Sequence, residues 1–331
     1  MRKIHLVYFI ATFSFFQTKA QEDTISKSVY CIPALKGVPI GKGISIEYQN
    51  VSNISIETID KTGNFSNTNS EIKSNTNLEA KLKIPIINKD YLSIVAGLKY
   101  SKEEFHFNDP NLNPFYQNLE DKGLKSIGMN VTIIKPTKSK KFWVVKANAD
   151  LNGNFGTINS FSEYLKFSVS PALGWKVNDN FSYAIGASYN YRFGSPIVIP
   201  VAAFNVNIGK KWGIEAILPL FIKSRFQYND GLIWQHIIEI DGASYRLNNF
   251  SSEFNSYNNL HLHRSDIQLS TRFEKKIVGW LWAASEIGFR KNLTYNLTNS
   301  NKAKENIIFE NNLKNAFLFN VSLFISPRKN P

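Results

Sequence analysis

"LKFSVSPALGWKVNDNFSYAIGASYNYRF", residues 165–193, alternates apolar and polar residues twice around a single turn. Leu165, Phe167, Val169, Pro171, Leu173, Trp175 and Val177 hold the odd positions of the first half, with Lys166, Ser168, Ser170, Ala172, Gly174 and Lys176 between them. The second half repeats the pattern, with Phe181, Tyr183, Ile185, Ala187, Tyr189, Tyr191 and Phe193 against Ser182, Ala184, Gly186, Ser188, Asn190 and Arg192. Strand side chains change face at every residue, so each half reads as an amphipathic strand of about thirteen residues. Asn178-Asp179-Asn180 supplies turn residues between them and makes the pair a hairpin. Strands of soluble domains run about five or six residues. A strand that crosses a bilayer takes roughly 9–11.

The same alternation recurs on both sides of this hairpin. Residues 76–86 set Leu78, Ala80, Leu82, Ile84 and Ile86 against Glu79, Lys81 and Lys83, and residues 91–105 set Leu92, Ile94, Ala96, Leu98 and Tyr100 against Ser93, Gly97 and Lys99. Residues 142–153 oppose Trp143, Val145, Ala147 and Ala149 to Lys146, Asn148 and Asp150. In 263–274, Ile267, Leu269 and Phe273 oppose Asp266, Gln268, Arg272 and Glu274. With 42–58, 123–135, 197–208, 213–219, 220–228, 231–246, 279–292 and 315–326, the chain holds fourteen candidate strands. The register of 213–246 stays open, because Ile233, Ile237 and Ile240 put apolar side chains on both faces.

The connections fall into two classes that alternate. Short ones lie near residues 88–90, 137–141, 178–180, 209–211, 229–231 and 275–279. Asn- and Ser-rich ones, mostly longer, lie at 60–74, 106–122, 154–161, 247–262 and 294–313, with two short members near Gly194-Ser195-Pro196 and Pro219. Tight turns at one end and larger loops at the other mark an outer-membrane barrel. The expected fold is all-β, a transmembrane antiparallel up-and-down β-barrel of fourteen strands over residues 42–326.

Energetics decide which face meets lipid. A Lys or Arg held near the bilayer midplane on the lipid side costs roughly 2–4 kcal/mol. Lys81, Lys83, Lys99, Lys146, Asp150, Lys166, Arg192 and Arg272 cannot all bear that cost, so the charged face is expected to line the lumen and, with it, any solute path. Trp143, Trp175, Phe181, Tyr100 and Phe193 lie where interfacial girdles are expected.

The chain opens Met1-Arg2-Lys3, runs apolar from Ile4 to Phe16 and reaches Ala20 before acidic residues. This reads as a cleavable signal peptide over 1–20, followed by a periplasmic or lumenal segment over 21–41; residues 327–331 form a short tail. Formal net charge is +13; losing Arg2, Lys3 and Lys19 leaves +10. The basic residues are dispersed, without a nucleic-acid module. Outer-membrane lipid, including anionic headgroups, and a small anionic solute are the expected partners. Cys31 is the lone cysteine and forms no disulfide framework.

No catalytic or cofactor pattern emerges. His261 and His263 share one strand face without further metal ligands, and His106 and His236 lack the companions of a hydrolase. His236 is expected to point inward.

"WGIEAILP" (Trp212 to Pro219), "YNDGLIW" (Tyr228 to Trp234) and "DGASYRL" (Asp241 to Leu247) resemble a family of uncharacterised outer-membrane β-barrels known only as a domain of unknown function. The resemblance implies location and fold, with no activity or site residues. A weaker likeness to the long-chain fatty-acid transporter barrels implies fourteen strands and an N-terminal segment inside the barrel, although residues 21–41 are short and lack a helical pattern. The expected function is passive passage of a small polar or anionic solute. The alternatives are a closed structural barrel acting through its loops, and hydrophobic-compound uptake through a lateral opening near Pro200 and Pro219.

Overall fold

The computed structural model describes residues 42–137, 140–156, 161–248 and 252–326. The expectations for 1–20, 21–41 and 327–331 lie outside the described residues. The strands are β1 (Ile44–Asp60), β2 (Thr68–Lys89), β3 (Leu92–Phe107), β4 (Leu124–Pro136), β5 (Lys141–Gly153), β6 (Leu165–Asn178), β7 (Phe181–Asn190), β8 (Ile197–Ile208), β9 (Trp212–Leu218), β10 (Phe221–Asn229), β11 (Leu232–Arg246), β12 (His261–Val278), β13 (Leu281–Thr298), β14 (Ile307–Leu313) and β15 (Ala316–Ile325). Two short helices, α1 (Pro114–Lys122) and α2 (Phe161–Tyr164), sit in loops.

Each strand pairs antiparallel with its sequence neighbour. β14 and β15 are two halves of one stave, because both pair with β13 on one side and β1 on the other. The β1 pairing, Ile44 opposite Ile325, closes the sheet into a barrel of fourteen staves. Closure pairs every stave on both sides, which is how a sheet satisfies its backbone in hydrocarbon.

The alternation resolves as expected. Phe317 (69% exposed), Ile287 (57%) and Leu269 (53%) point outward, while Lys166, Gln268, Arg272, Glu286 and Arg290 are buried on the inner side. Among the described residues no helix is long and apolar enough to cross a membrane; the strands form the apolar belt. In β11 the register left open is now fixed: Ile233, Gln235 and Ile237 face inward, and Trp234, His236 and Ile238 face outward. His236 is thus exposed on the outer wall, its ring 4.7 Å from that of Trp234, and not interior as its polarity suggested.

Two of the expected loops are largely strand. β1 continues to Asp60 and β2 begins at Thr68, so the loop expected over 60–74 shortens to 61–67; β13 continues to Thr298 and β14 begins at Ile307, which shortens 294–313 likewise. These extensions make the wall tall on one side. On the other side β9 has seven residues and β10 nine. At the loop end β11 bypasses β6–β10 altogether and pairs in parallel with β5, Arg246 opposite Gly153. Fourteen staves thereby narrow to nine at that end. Gly153 is required at this junction: a Cβ there would lie 2.5 Å from the Arg246 carbonyl oxygen and 2.6 Å from the Tyr164 ring.

Candidate functional site: the barrel lumen

The loop end of the lumen is filled by an apolar plug. Helix α1 supplies its centre. Asn113 caps the helix, its side chain accepting from the Phe115 N–H at 2.9 Å, and Pro114 occupies the first turn. Gly123, at φ +61°, ends it and donates to the Leu119 carbonyl. Phe115, Tyr116 and Leu119 are fully buried against Ile54, Ile72, Phe105, Leu262, Tyr295, Leu297 and Phe309. The Tyr116 ring stacks on Phe107 at 4.6 Å, and its hydroxyl lies 2.6 Å from Thr58 Oγ1, which in turn donates to Asn311. Burial pushes the Tyr116 phenol above its ordinary pKa, so the hydroxyl stays a donor.

Beneath the plug, charges cross the lumen. Arg264 on β12 donates to both carboxylate oxygens of Glu103 on β3 at 2.6 Å, and to Asp241 on β11 at 2.9 Å. Asn75 on β2 donates to Glu103 at 2.9 Å and accepts from Arg290 on β13 at 3.0 Å. β3 and β12 are not neighbours in the sheet, so the Arg264–Glu103 pair is a crossbar. Plug and crossbar together obstruct the axis at the loop end.

Toward the turn end the lumen opens into a cavity of about 310 Å³. Lys42, Lys81, Lys223, Arg225 and Arg272 line it, and so do Glu47, Glu215, Glu239, Glu274 and Glu286. Five cations against five carboxylates leave this cavity formally neutral. Arg272 carries much of the pairing, at 3.0 Å from Glu286, 3.1 Å from Glu274 and 3.4 Å from Glu47, with Ser322 accepting at 2.6 Å. Lys42 shares Glu274 at 3.1 Å and lies 4.2 Å from the centre of the Phe324 ring. Phe324 stacks with Trp282 beside Ile233, forming a small apolar floor below the cavity.

A family model described as Domain of unknown function (DUF6268) matches residues 17–325. The chain belongs to this family. No curated protein matches it. Solved structures similar to this DUF6268 barrel include a FadL homologue from Pseudomonas aeruginosa (9% identity, TM-score 0.40, covering 91% of this chain and 94% of that one). An outer membrane channel from Pseudomonas putida F1 (10%, 0.36, 88% and 98%) and the KdgM porin (9%, 0.33, 86% and 99%) are two more. These similarities are of outline only.

Within the DUF6268 barrel, the residues picked out by alternation spread over three levels. Lys81 and Arg272 line the cavity. Lys81 and Lys99 both pair with Glu79, Lys99 at 3.3 Å. Lys83 on β2 and Lys146 on β5 have no carboxylate within salt-bridge distance among the described residues, and Lys146 lies within electrostatic range of Lys81, Lys83 and Arg192. Asp150 folds over Gly128, whose missing Cβ leaves it room. Asp266 sits 3.5 Å from Arg264 Nε, next to the crossbar, and accepts from Asn292 at 2.9 Å.

Lys166 and Arg192 belong to a seam near the loop end. Lys166 Nζ is 3.3 Å from His261 Nε2, and Arg192, in the β7–β8 turn, donates to the Ile240 carbonyl at 2.9 Å. Because Leu220 also accepts from the Ile240 N–H at 2.8 Å, the wall is hydrogen-bonded beside Pro219. Both nitrogens of His263 contact oxygens: Gly194 O at Nδ1, and Thr298 Oγ1 and Ser300 O at Nε2. No cluster suited to a metal ion occurs among the described residues.

Sequence reasoning missed Glu47, Glu215, Lys223, Arg225, Glu239 and Glu286 in the cavity, and Glu103, Asp241 and Arg264 in the crossbar. Their inward parity was the available signal. It was hidden for 213–246 by the isoleucines that also face inward.

Proposed function

We propose that this chain is a gated passive channel of the bacterial outer membrane for small polar or anionic solutes, exported by the segment 1–20 and oriented with its turn end in the periplasm. The observation that carries the reading is the cavity enclosed by the barrel, lined by five cations and five carboxylates. At about 30 Å³ per liquid water, 310 Å³ corresponds to about ten waters, and so many ionisable groups stay charged only where water or a solute reaches them. Lys83 and Lys146, which no carboxylate offsets within salt-bridge distance among the described residues, tilt the lumen toward anions. The plug and crossbar are the gate in its closed position.

The test is reconstitution in planar bilayers across a range of voltages. Stepwise conductance with modest anion preference is expected, with long closed intervals. Silence in every salt and at every voltage would overturn the channel. A second reading, a permanently closed barrel that acts through its loops, is favoured by the extent of the plug, and that same silence is its expected result.

A further inference from the structure

The charges of the cavity are not used equally by its own ion pairs. Arg272 and Lys42 are engaged with Glu47, Glu274 and Glu286 on the β1, β12 and β13 side. On the opposite side Lys223 on β10, Glu215 on β9 and Glu239 on β11 face the cavity, and none has an ion-pair partner within 4.0 Å among the described residues. Glu215 stands directly opposite Lys223 on the neighbouring strand, without an ion pair within 4.0 Å between them; the register separates Lys223 from Glu239. Lys223 stands opposite Ile237 and Phe221 opposite Glu239, so Lys223 and Glu239 occupy a diagonal of the sheet, with backbones roughly 7–8 Å apart. Ile237 stands opposite Lys223 and two residues before Glu239 on the same inner face, and Gln235 lies beyond it, opposite Arg225. Lys83 lies within electrostatic range of Lys223 and Glu215.

We propose that this side of the cavity is a binding seat for a zwitterion of dipeptide size, its carboxylate on Lys223 and Lys83 and its ammonium on Glu239. A lone anion drawn to Lys223 would meet Glu215 and Glu239 at short range, and a lone cation drawn to Glu239 would meet Lys223. A molecule carrying both charges, separated by an amide, meets Lys223 and Glu239 each with its opposite charge, lays its middle on Ile237, and leaves Glu215 facing Lys223 across the strand pair. The volume, equal to about ten waters, fits about that number of non-hydrogen atoms.

The seat rests on the channel reading, in that it makes the cavity a station on a solute path. Its test reads equilibrium binding alone, so it stands or falls apart from conductance. Full-length protein, folded in detergent, is titrated calorimetrically with glycylglycine, with N-acetylglycine, which lacks the ammonium, and with glycylglycinamide, which lacks the carboxylate. Glycylglycine is expected to bind at least tenfold more tightly than either. Glu239→Gln should abolish the advantage over N-acetylglycine, and Lys223→Gln the advantage over glycylglycinamide, in variants that retain the heat-sensitive gel mobility of a closed barrel. Equal or tighter binding of N-acetylglycine, absence of binding by all three, or a preference untouched by both substitutions overturns the seat. Binding without conductance would refute the channel and leave the seat standing.

Discussion

Arg264 and Glu103 lie 161 residues apart in sequence, on strands that are not neighbours, and meet across the lumen with two contacts of 2.6 Å. Both side chains are nearly inaccessible. Breaking a buried pair leaves its partner charged and alone, which costs about 3–5 kcal/mol. Arg264→Ala is therefore expected to lower the unfolding free energy by that order, measured by urea titration in bilayers, and to raise the fraction of time the barrel conducts. A variant that loses stability yet conducts no more than the parent would show that the crossbar braces the wall without gating it.

Leu269 stands near the middle of β12 on the outer face, beside Phe289 of β13. Leu269→Lys should destabilise the protein by roughly 2–4 kcal/mol in a bilayer. The neighbouring inward Gln268→Lys should cost less, because that side chain reaches a polar lumen. Equal costs at the two positions would mean that the outer face does not contact hydrocarbon.

Lys83 and Lys146 are inward cations with no carboxylate within salt-bridge distance among the described residues. Replacing both with Glu moves the lumen charge by four units, and the reversal potential across a potassium chloride gradient should swing toward cation preference. Unchanged ion preference would place the conducting path away from β2 and β5.

Gly153→Leu forces a side chain against Arg246 O and the Tyr164 ring, where no space exists. The junction of β5 and β11 should part, and the Asn154 amide, which donates to Arg246 O at 3.4 Å, should exchange with solvent faster than in the parent. The turn end, which does not depend on this contact, should keep its protection. Unaltered exchange at Asn154 would show that the junction adapts.

The wall of this barrel was legible in the sequence because lipid imposes a strict rule on alternate residues. Leu269 and Ile287 could only face outward once Arg272 and Lys146 had to face in. Strand number and the tight turns near 88–90, 178–180, 209–211 and 229–231 were legible too, whereas the turn expected at 275–279 lies at 279–280 because β12 runs on to Val278. The plug was not legible. Phe105, Phe107, Phe115 and Tyr116 sit near loops, where aromatic residues also form girdles, and nothing local distinguishes a ring that turns inward. Ile233, Ile237 and Phe324 break the polar parity of the lumen for the same reason: a closed interior can bury oil as well as charge. The crossbar escaped because a contact between residues 103 and 264 is made by closure of the sheet, and no short window contains both partners.

The brevity of β9 reaches beyond the protein itself. Seven residues rise about 23 Å along the strand, and a barrel strand inclined by about 40° reaches about 18 Å in height. The oily layer of a membrane is about 30 Å thick. Acyl chains beside this sector must shorten, splay or tilt to meet the low parapet. The barrel thus carries a built-in dent for its surrounding lipid, always on the same flank.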